Sequence, residues 1–214
     1  EDGSDDLRNI KPPQPFLKWA GGKKQLLGQF DRFFPKKIDG YVEPFVGSGA
    51  VFFHISMQYH PKSIILGDGN PELINAYEAV RDDVEKLNRK LGHHRRLHSQ
   101  EYYQKVREME PKSSVGRAAR LIYLNKTCYN GLYRVNSKGR FNVPMGRYKN
   151  PSIFDIGNLR IVSNVLQDVR LKVCHFSECV RTGRRGDFFY LDPPYHPVSK
   201  TSSFTNYTAK AFTE

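Results

Sequence analysis

Residues 41–53 read YVEPFVGSGAVFF. An apolar run of strand length, YVEPFV, meets a turn at Gly47 and Gly49, and an apolar helical stretch, AVFFHISMQY, follows. Working outward, residues 63–67, SIILG, repeat the pattern: a buried strand, then Asp68-Gly69-Asn70-Pro71. There Asn70 is placed as an N-cap and Pro71 as the first helical residue. The next helix carries Leu73, Ile74, Tyr77, Val80, Val84, Leu87 and Leu91 at helical spacing, which predicts one buried face. Further on, 156–166 (IGNLRIVSNVL) is predicted as a helix, 171–176 (LKVCHF) as a strand and 187–191 (DFFYL) as a fourth strand. Buried strands alternating with helices predict an α/β fold built on a parallel sheet. Residues 77–154 break that rhythm. Polar helical sequence containing HHRRLH gives way to NSKGRFNVP, where Ser137-Lys138-Gly139 lies between short alternating segments like a hairpin turn.

The 214 residues are 38% hydrophobic and 26% charged, the profile of a soluble globular protein with one sizeable core. No apolar run approaches the roughly 18 residues of a membrane span, and the start, EDGSDDLRNIKPPQP, lacks a signal-peptide core. Both features predict a cytoplasmic protein, and the missing initiator Met points to a processed or trimmed start. Cys128, Cys174 and Cys179 show no paired C-x-x-C spacing, so buried thiols are expected and no metal site.

The net charge of +12 biases the chain towards polyanions, and its distribution says more than its total. Nine Lys or Arg lie between Pro111 and Phe154, with no Asp or Glu among them. A merely solvated face mixes both signs; a stretch purged of acids fits a phosphate-facing surface better. Tyr123, Tyr129, Tyr133, Phe141 and Tyr148 are interleaved with these charges, as stacking or wedging side chains would be.

A glycine turn after a first strand and an acid after the second is how open parallel sheets hold an adenosine. Gly47 and Asp68 stand 21 residues apart, with Asp68 placed to accept hydrogen bonds from ribose hydroxyls. A dinucleotide and S-adenosylmethionine both satisfy that spacing, and a plain tight turn is the bland alternative. Two departures favour the cationic cofactor. Phe52 stands where the third glycine of G-x-G-x-x-G would be, and Glu43 precedes the turn, where a carboxylate repels a pyrophosphate but suits an ammonium and a sulfonium.

Residues 187–195 read DFFYLDPPY, a strand ending in two residues that lack an N–H. The exocyclic amino group of a base is a poor nucleophile because its lone pair is delocalised into the ring. Two acceptors against its N–H bonds, the Asp192 carboxylate and the Pro193 carbonyl, can draw the nitrogen towards a tetrahedral shape. Tyr195 can stack on the base, a contact worth about 1–3 kcal/mol. The alternative is a rigid strand-to-loop turn with an incidental acid.

With these motifs in place, the chain resembles the DNA adenine methyltransferases of the Dam type, the D12 class specific for adenine N6. The resemblance runs from Pro15 onward through PFLKWAGGKKQLL (15–27), YVEPFVGSGAVFF (41–53), DGNPELI (68–74) and DPPY (192–195), in the family's order. It implies a Rossmann-like S-adenosylmethionine-dependent sheet with an inserted helical and β-hairpin subdomain that recognises DNA. It also implies that Trp19, Lys23, Asp68 and Asp192 border the cofactor, together with Glu43, Phe45, Gly47 and Gly49 of the glycine motif. For Trp19 the bland alternative is core packing. The stretch YNGLYRVNSKGRFNVPMGRYKNP (129–151) resembles the family's DNA-reading hairpin. There Arg134 would read a guanine through a bidentate contact, and Leu132 and Tyr129, beside Asn130, would fill or flank the gap left by an extruded base. Pro144 and Lys18 would lie near base edges, and Asn136, Lys138 and Arg147 would reach phosphates. The pattern matches members that read GATC, and so implies double-stranded DNA as partner.

The expected organisation is a disordered acidic tail over 1–14, a catalytic and cofactor-binding domain over 15–76 and 155–214, and a target-recognition subdomain over 77–154. Family members continue past the tyrosine motif, whereas this chain stops at TAKAFTE, so the catalytic domain is expected to be C-terminally incomplete with an exposed sheet edge. A bacterial or phage-encoded monomer or weak dimer on DNA is the expected working form. An RNA or protein amino-group methyltransferase and a non-catalytic DNA-binding fragment are the competing readings.

Overall fold

Pro44 decides where the first strand stops. In the computed structural model, which describes residues 11–19 and 22–194, β1 (Gly40–Glu43) is buried along its whole length. The chain leaves the ladder at Pro44, which has no N–H to give. Val46 donates its N–H to the Gly67 carbonyl at 3.0 Å, so β1 is shorter than the predicted 41–46.

Three further strands complete a parallel sheet among the described residues: β2 (Ser63–Asp68), β3 (Val169–Val173) and β4 (Phe188–Phe189), in the order β3-β2-β1-β4. Tyr41 pairs with Ile64 on one side and Phe188 on the other, and Asp68 pairs with Val173. The chain thus builds from β1 through β2 to β3, then crosses back to lay β4 against the other side of β1. Order reverses between β1 and β4, and the carboxyl ends of strands at such a reversal are where open α/β sheets hold ligands. Glu43, Asp68 and the residues after Phe189 all lie at that edge.

Two further strands differ from the sequence expectation. LKVCHF was expected as a strand over 171–176, but β3 begins at Val169 and ends opposite Asp68, where β2 also ends. His175 instead caps a helix, its ring accepting the Ser177 N–H. The expected strand 187–191 pairs only at Phe188 and Phe189, although Tyr190 still donates its N–H to the Val42 carbonyl at 3.0 Å.

The helices are α1 (Leu27–Phe30), α2 (Ala50–Tyr59), α3 (Pro71–Leu97), α4 (Gln100–Glu108), α5 (Ser114–Thr127), α6 (Ile156–Val165) and α7 (Phe176–Arg181). The start of α3 follows the predicted chemistry: Asn70 Oδ1 accepts the N–H groups of Glu72 and Leu73 at 3.0 and 3.3 Å, with Pro71 in the first turn. Its apolar stripe is buried from Leu73 to Leu91, apart from half-buried Val84. The helix bends at Asp83 (φ −134°, ψ 34°) but continues to Leu97, so the expected boundary at 76/77 falls inside a continuous element. One hydrophobic cluster joins the sheet, α2 and α3 to α4 and α5, with Tyr41, Phe52, Tyr77, Tyr103 and Tyr123 fully enclosed.

The NSKG stretch forms the expected turn. Val135 and Phe141 make an antiparallel bridge, Asn136 donates its N–H to the Arg140 carbonyl at 2.9 Å, and Gly139 takes the left-handed φ of +72°. Asn136 Oδ1 also accepts the N–H groups of Lys138 and Arg140, both at 3.0 Å, which closes the loop. Residues 1–10 of the expected tail lie outside the described residues. Residues 11–14 run against α6: Gln14 donates its N–H to Asn158 Oδ1 at 2.8 Å and accepts from Asn158 Nδ2 at 2.9 Å.

Candidate active site

The loop after β1 is shaped by two glycines with different tasks. At Gly47 (φ +49°) a Cβ would come within 2.9 Å of the Trp19 ring, so the missing side chain lets Trp19 lie on the loop. At Gly49 (φ +72°), the residue before α2, a Cβ would meet Tyr77 Oη at 2.6 Å. Tyr77 Oη donates to the Gly47 carbonyl at 3.0 Å and fixes the loop from below. Gly49 therefore sets the loop's shape without lining the cleft.

That cleft is lined by Trp19, Gly22, Lys23, Glu43, Phe45, Gly47, Ser48, Asp68, Tyr190 and Asp192, among others. Seven of the eight residues assigned to the cofactor from sequence thus meet in one place, drawn from the N-terminal segment, β1, β2 and the end of β4. Asp68 holds its loop by accepting the Asn70 N–H at 2.9 Å and the Gly47 N–H at 3.4 Å. Burial outweighs these donors and pushes its carboxyl up to about 6. Glu43 is only 3% exposed and accepts the Tyr41 hydroxyl at 2.8 Å. Burial, reinforced by the Asp192 and Asp68 charges, pushes its carboxyl up to about 8. Asp192 accepts from Lys23 Nζ through Oδ2 at 2.6 Å, a contact spanning 169 residues of sequence. Phe45 stacks on Phe176 at 5.7 Å. Pro193 follows Asp192 on the exposed side, and Tyr195 lies outside the described residues.

Sequence reasoning missed the cleft positions Gly22, Ser48 and Tyr190, and it missed Tyr133. The Tyr133 ring stacks on Trp19 with centroids 5.5 Å apart and planes at 25°, which couples the base of the hairpin to the cleft wall. In the sequence Tyr133 is one of several aromatics among the basic residues, and its spacing gives no hint of Trp19.

A second surface gathers the residues assigned to nucleic acid. Lys18 is anchored through its backbone, whose N–H and carbonyl both bond the Asn125 amide at 2.7 Å. Its side chain packs on Gly131 (φ +63°) and its ammonium sits 4.3 Å over the Tyr148 ring. Beside it are exposed Tyr129, Asn130 in a left-handed conformation (φ +53°), half-buried Leu132 and exposed Pro144, whose carbonyl accepts the Tyr129 N–H at 2.9 Å. Arg134 is exposed on the hairpin and donates from Nε to Asn142 Oδ1 at 2.8 Å. Asn136 and Lys138 line a cavity of about 700 Å³ between the hairpin and the α4–α5 turn, where Arg107, Arg120 and Arg140 alternate with Glu72, Glu108 and Glu110. Arg147 is exposed.

Some cations of the acid-free stretch turn inward. Arg117 makes a bidentate pair with Glu72, its shortest contact 2.7 Å, and Arg120 donates to the carbonyls of Val106 and Arg107 at 3.0 and 2.6 Å. Burial, then the nearby Lys18 charge, pulls the Lys126 amine down to about 8.

No group of three or more His, Cys, Asp and Glu among the described residues could hold a metal ion. No helix among them is long and apolar enough to cross a membrane. Cys128 and Cys179 are buried free thiols and Cys174 is half-buried.

A parallel sheet with a glycine loop after β1, an acid closing β2 and a carboxylate after β4, all at the point of strand reversal, is a Rossmann-like arrangement consistent with the methyltransferase class. The sequence pattern of the D12 class N6 adenine-specific DNA methyltransferases matches residues 19–214. The Type II methyltransferase M.MjaIII of Methanocaldococcus jannaschii is 45% identical over 94% of this chain and 75% of its own length. The Type II methyltransferase M1.LlaDCHI of Lactococcus lactis is 43% identical over 93% of this chain and 72% of its own. The DNA adenine methylase of Haemophilus influenzae is 34% identical over 96% and 73%. The chain belongs to the D12 class of N6 adenine-specific DNA methyltransferases.

Proposed function

We propose that the cleft binds S-adenosyl-L-methionine and that the enzyme methylates N6 of an adenine turned out of duplex DNA, within GATC. The observation that carries this reading is the meeting of Glu43, Asp68 and Asp192 with Lys23, the one cation among the described lining residues, at the strand reversal. A cleft with three acidic side chains and one ammonium among its described lining residues disfavours a pyrophosphate, and an occupant with surplus positive charge is favoured there because it stabilises their ionised forms. Asp68 stands where it accepts ribose hydroxyls, and the stacked Trp19 offers a flat apolar face and a cation–π surface. When bound, the donor supplies a methyl group made electrophilic by its sulfonium.

The protein's task is then to prepare the nitrogen. Lys23 holds Asp192 by Oδ2, which leaves Oδ1 to accept one N6–H bond, and the Pro193 carbonyl accepts the other. With both hydrogens drawn out of the ring plane, the lone pair points at the methyl carbon, and the proton the nitrogen loses departs by way of Asp192. Tyr195 stacks on the extruded base. Tyr129, Leu132 and Lys18 face the vacated duplex, while Arg134 exchanges its Asn142 partner for a guanine edge. Residues 15–76 and 155–214 serve catalysis, and 77–154 serve target recognition.

Asp192→Ala tests the reading. Transfer from labelled donor should fall by about 10²–10⁴-fold or more, while duplex binding, which rests on the basic face, is retained. Retained transfer, or competition by RNA as strong as by duplex DNA, would favour a different amino-group substrate.

A further inference from the structure

The cleft holds one carboxylic acid that neither grips the ribose nor prepares the nitrogen. Glu43 ends β1 in a buried position, where its carboxyl accepts the Tyr41 hydroxyl at 2.8 Å and the backbone N–H of Phe52 at the start of α2. The groups around it come from every neighbouring element. Tyr41 shares its strand, Asp68 ends β2, and Tyr190 and Asp192 follow β4. Tyr77 rises from α3, the Phe52 N–H points from α2, and Lys23 of the N-terminal segment lines the same cleft. Two of these neighbours are carboxylates, and the one cation is held at 2.6 Å by Asp192. Negative charge at Glu43 is therefore unfavourable until positive charge enters beside it.

Methyl donor and demethylated product differ in this respect. Both carry an ammonium and a carboxylate, but only the donor carries the sulfonium; transfer of the methyl leaves a neutral thioether. We propose that Glu43 distinguishes the two by charge, becoming ionised against the cationic donor and carrying a proton beside the neutral product. Donor binding then releases a proton to solvent, and the loss of the sulfonium during the reaction returns Glu43 to the protonated state, which weakens the hold on product. Protons balance: the one given up on donor entry is taken back after transfer. This rests on the reading of the cleft as a methyl-donor site. Burial that pushes Glu43 up to about 8 agrees with a group poised to change its protonation near neutral pH.

The test is calorimetric titration of the whole chain with S-adenosylmethionine and, separately, with S-adenosylhomocysteine, each in buffers of different ionisation enthalpy. Sinefungin, with an amine in place of the sulfonium, serves as a third, unreactive cationic probe. The expected result is release of a large fraction of a proton with the two cationic ligands and little with the neutral one. The donor-to-product affinity ratio in the unmodified protein should rise with pH, by up to about tenfold per unit below the Glu43 pKa. Glu43→Gln should abolish the difference in proton release. Tyr41→Phe, which leaves the carboxyl but removes its hydroxyl donor, should move the pH dependence to higher pH. Equal proton release with all three ligands, or a pH-independent affinity ratio, overturns the role of Glu43 while leaving the donor site standing. Failure of all three to bind overturns both.

Discussion

Single glycines and acids shape the cleft. Gly47→Ala would force a side chain into the left-handed region and against Trp19, at a cost of about 1–2 kcal/mol from the backbone alone. A lowered melting temperature and altered fluorescence of Trp19, the one tryptophan of the chain, should report it. Asp68→Ala should weaken donor binding by about 1.5–3 kcal/mol, the range for hydrogen bonds to a charged group, with DNA affinity little changed. Glu43 also sets a pH dependence on stability. Its folded-state carboxyl lies near 8 against an ordinary value of 4.5, so between those limits the native state holds a proton that the unfolded chain has lost. Its stabilising contribution is complete below about 4.5 and is lost as pH rises through about 8. In Glu43→Gln, urea midpoints should fall less steeply over that window. These residues were legible because each stands in a short motif with a local reason: a turn that needs positive φ, an acid that follows a strand. Lys23 was named as a cofactor neighbour, but its pairing with Asp192 across 169 residues is set by the sheet and leaves no trace in local spacing.

At the scale of elements, caps and turns were the most readable features. Asn70-Pro71 opens α3 as expected, and the NSKG turn closes as expected, because both depend on side chains within a few residues of the backbone they satisfy. Strand ends were less readable. β1 stops at Pro44 and β3 stops where β2 does, so their lengths depend on partners rather than on their own apolar runs. The junction of α3, α4 and α5 makes its own prediction. His94 bonds the Tyr102 hydroxyl and His98 the Tyr123 hydroxyl, each at 2.8 Å, and burial pulls His94 down to about 4. Because His94 is depressed from 6.5, its neutral form is at home in the fold, and stability should be lost as pH falls from about 6.5 through 4. His94→Gln should flatten that limb of the urea-midpoint profile. On the hairpin, Arg134→Ala should cost about 1–3 kcal/mol of discrimination at one base pair. Lys138→Ala should instead weaken all sequences alike and reduce the salt slope by about one.

Across the whole molecule, charge and topology agree. The chain carries a net +12, yet three acids and Lys23 meet in the cleft at the strand reversal, while the hairpin carries exposed Arg134, Lys138 and Arg140. Trp19 and Tyr133, stacked on one another, join the cleft wall to the base of the hairpin. The parallel α/β class and the basic character of 111–154 were visible in strand order and composition. The inward turn of Arg117 and Arg120 was not, because a basic side chain in sequence does not reveal whether its partner is a phosphate or the protein's own Glu72 and carbonyls. The central claim is that this cleft and this surface deliver a methyl group to adenine N6 in duplex DNA. The most direct measurement incubates the chain with isotopically labelled S-adenosylmethionine and a duplex containing one GATC, alongside duplexes altered at one base pair, followed by nucleoside mass spectrometry. The account predicts labelled N6-methyladenine in the GATC duplex and a sharp drop for each altered one. Label on cytosine, or equal label on every duplex, would contradict it.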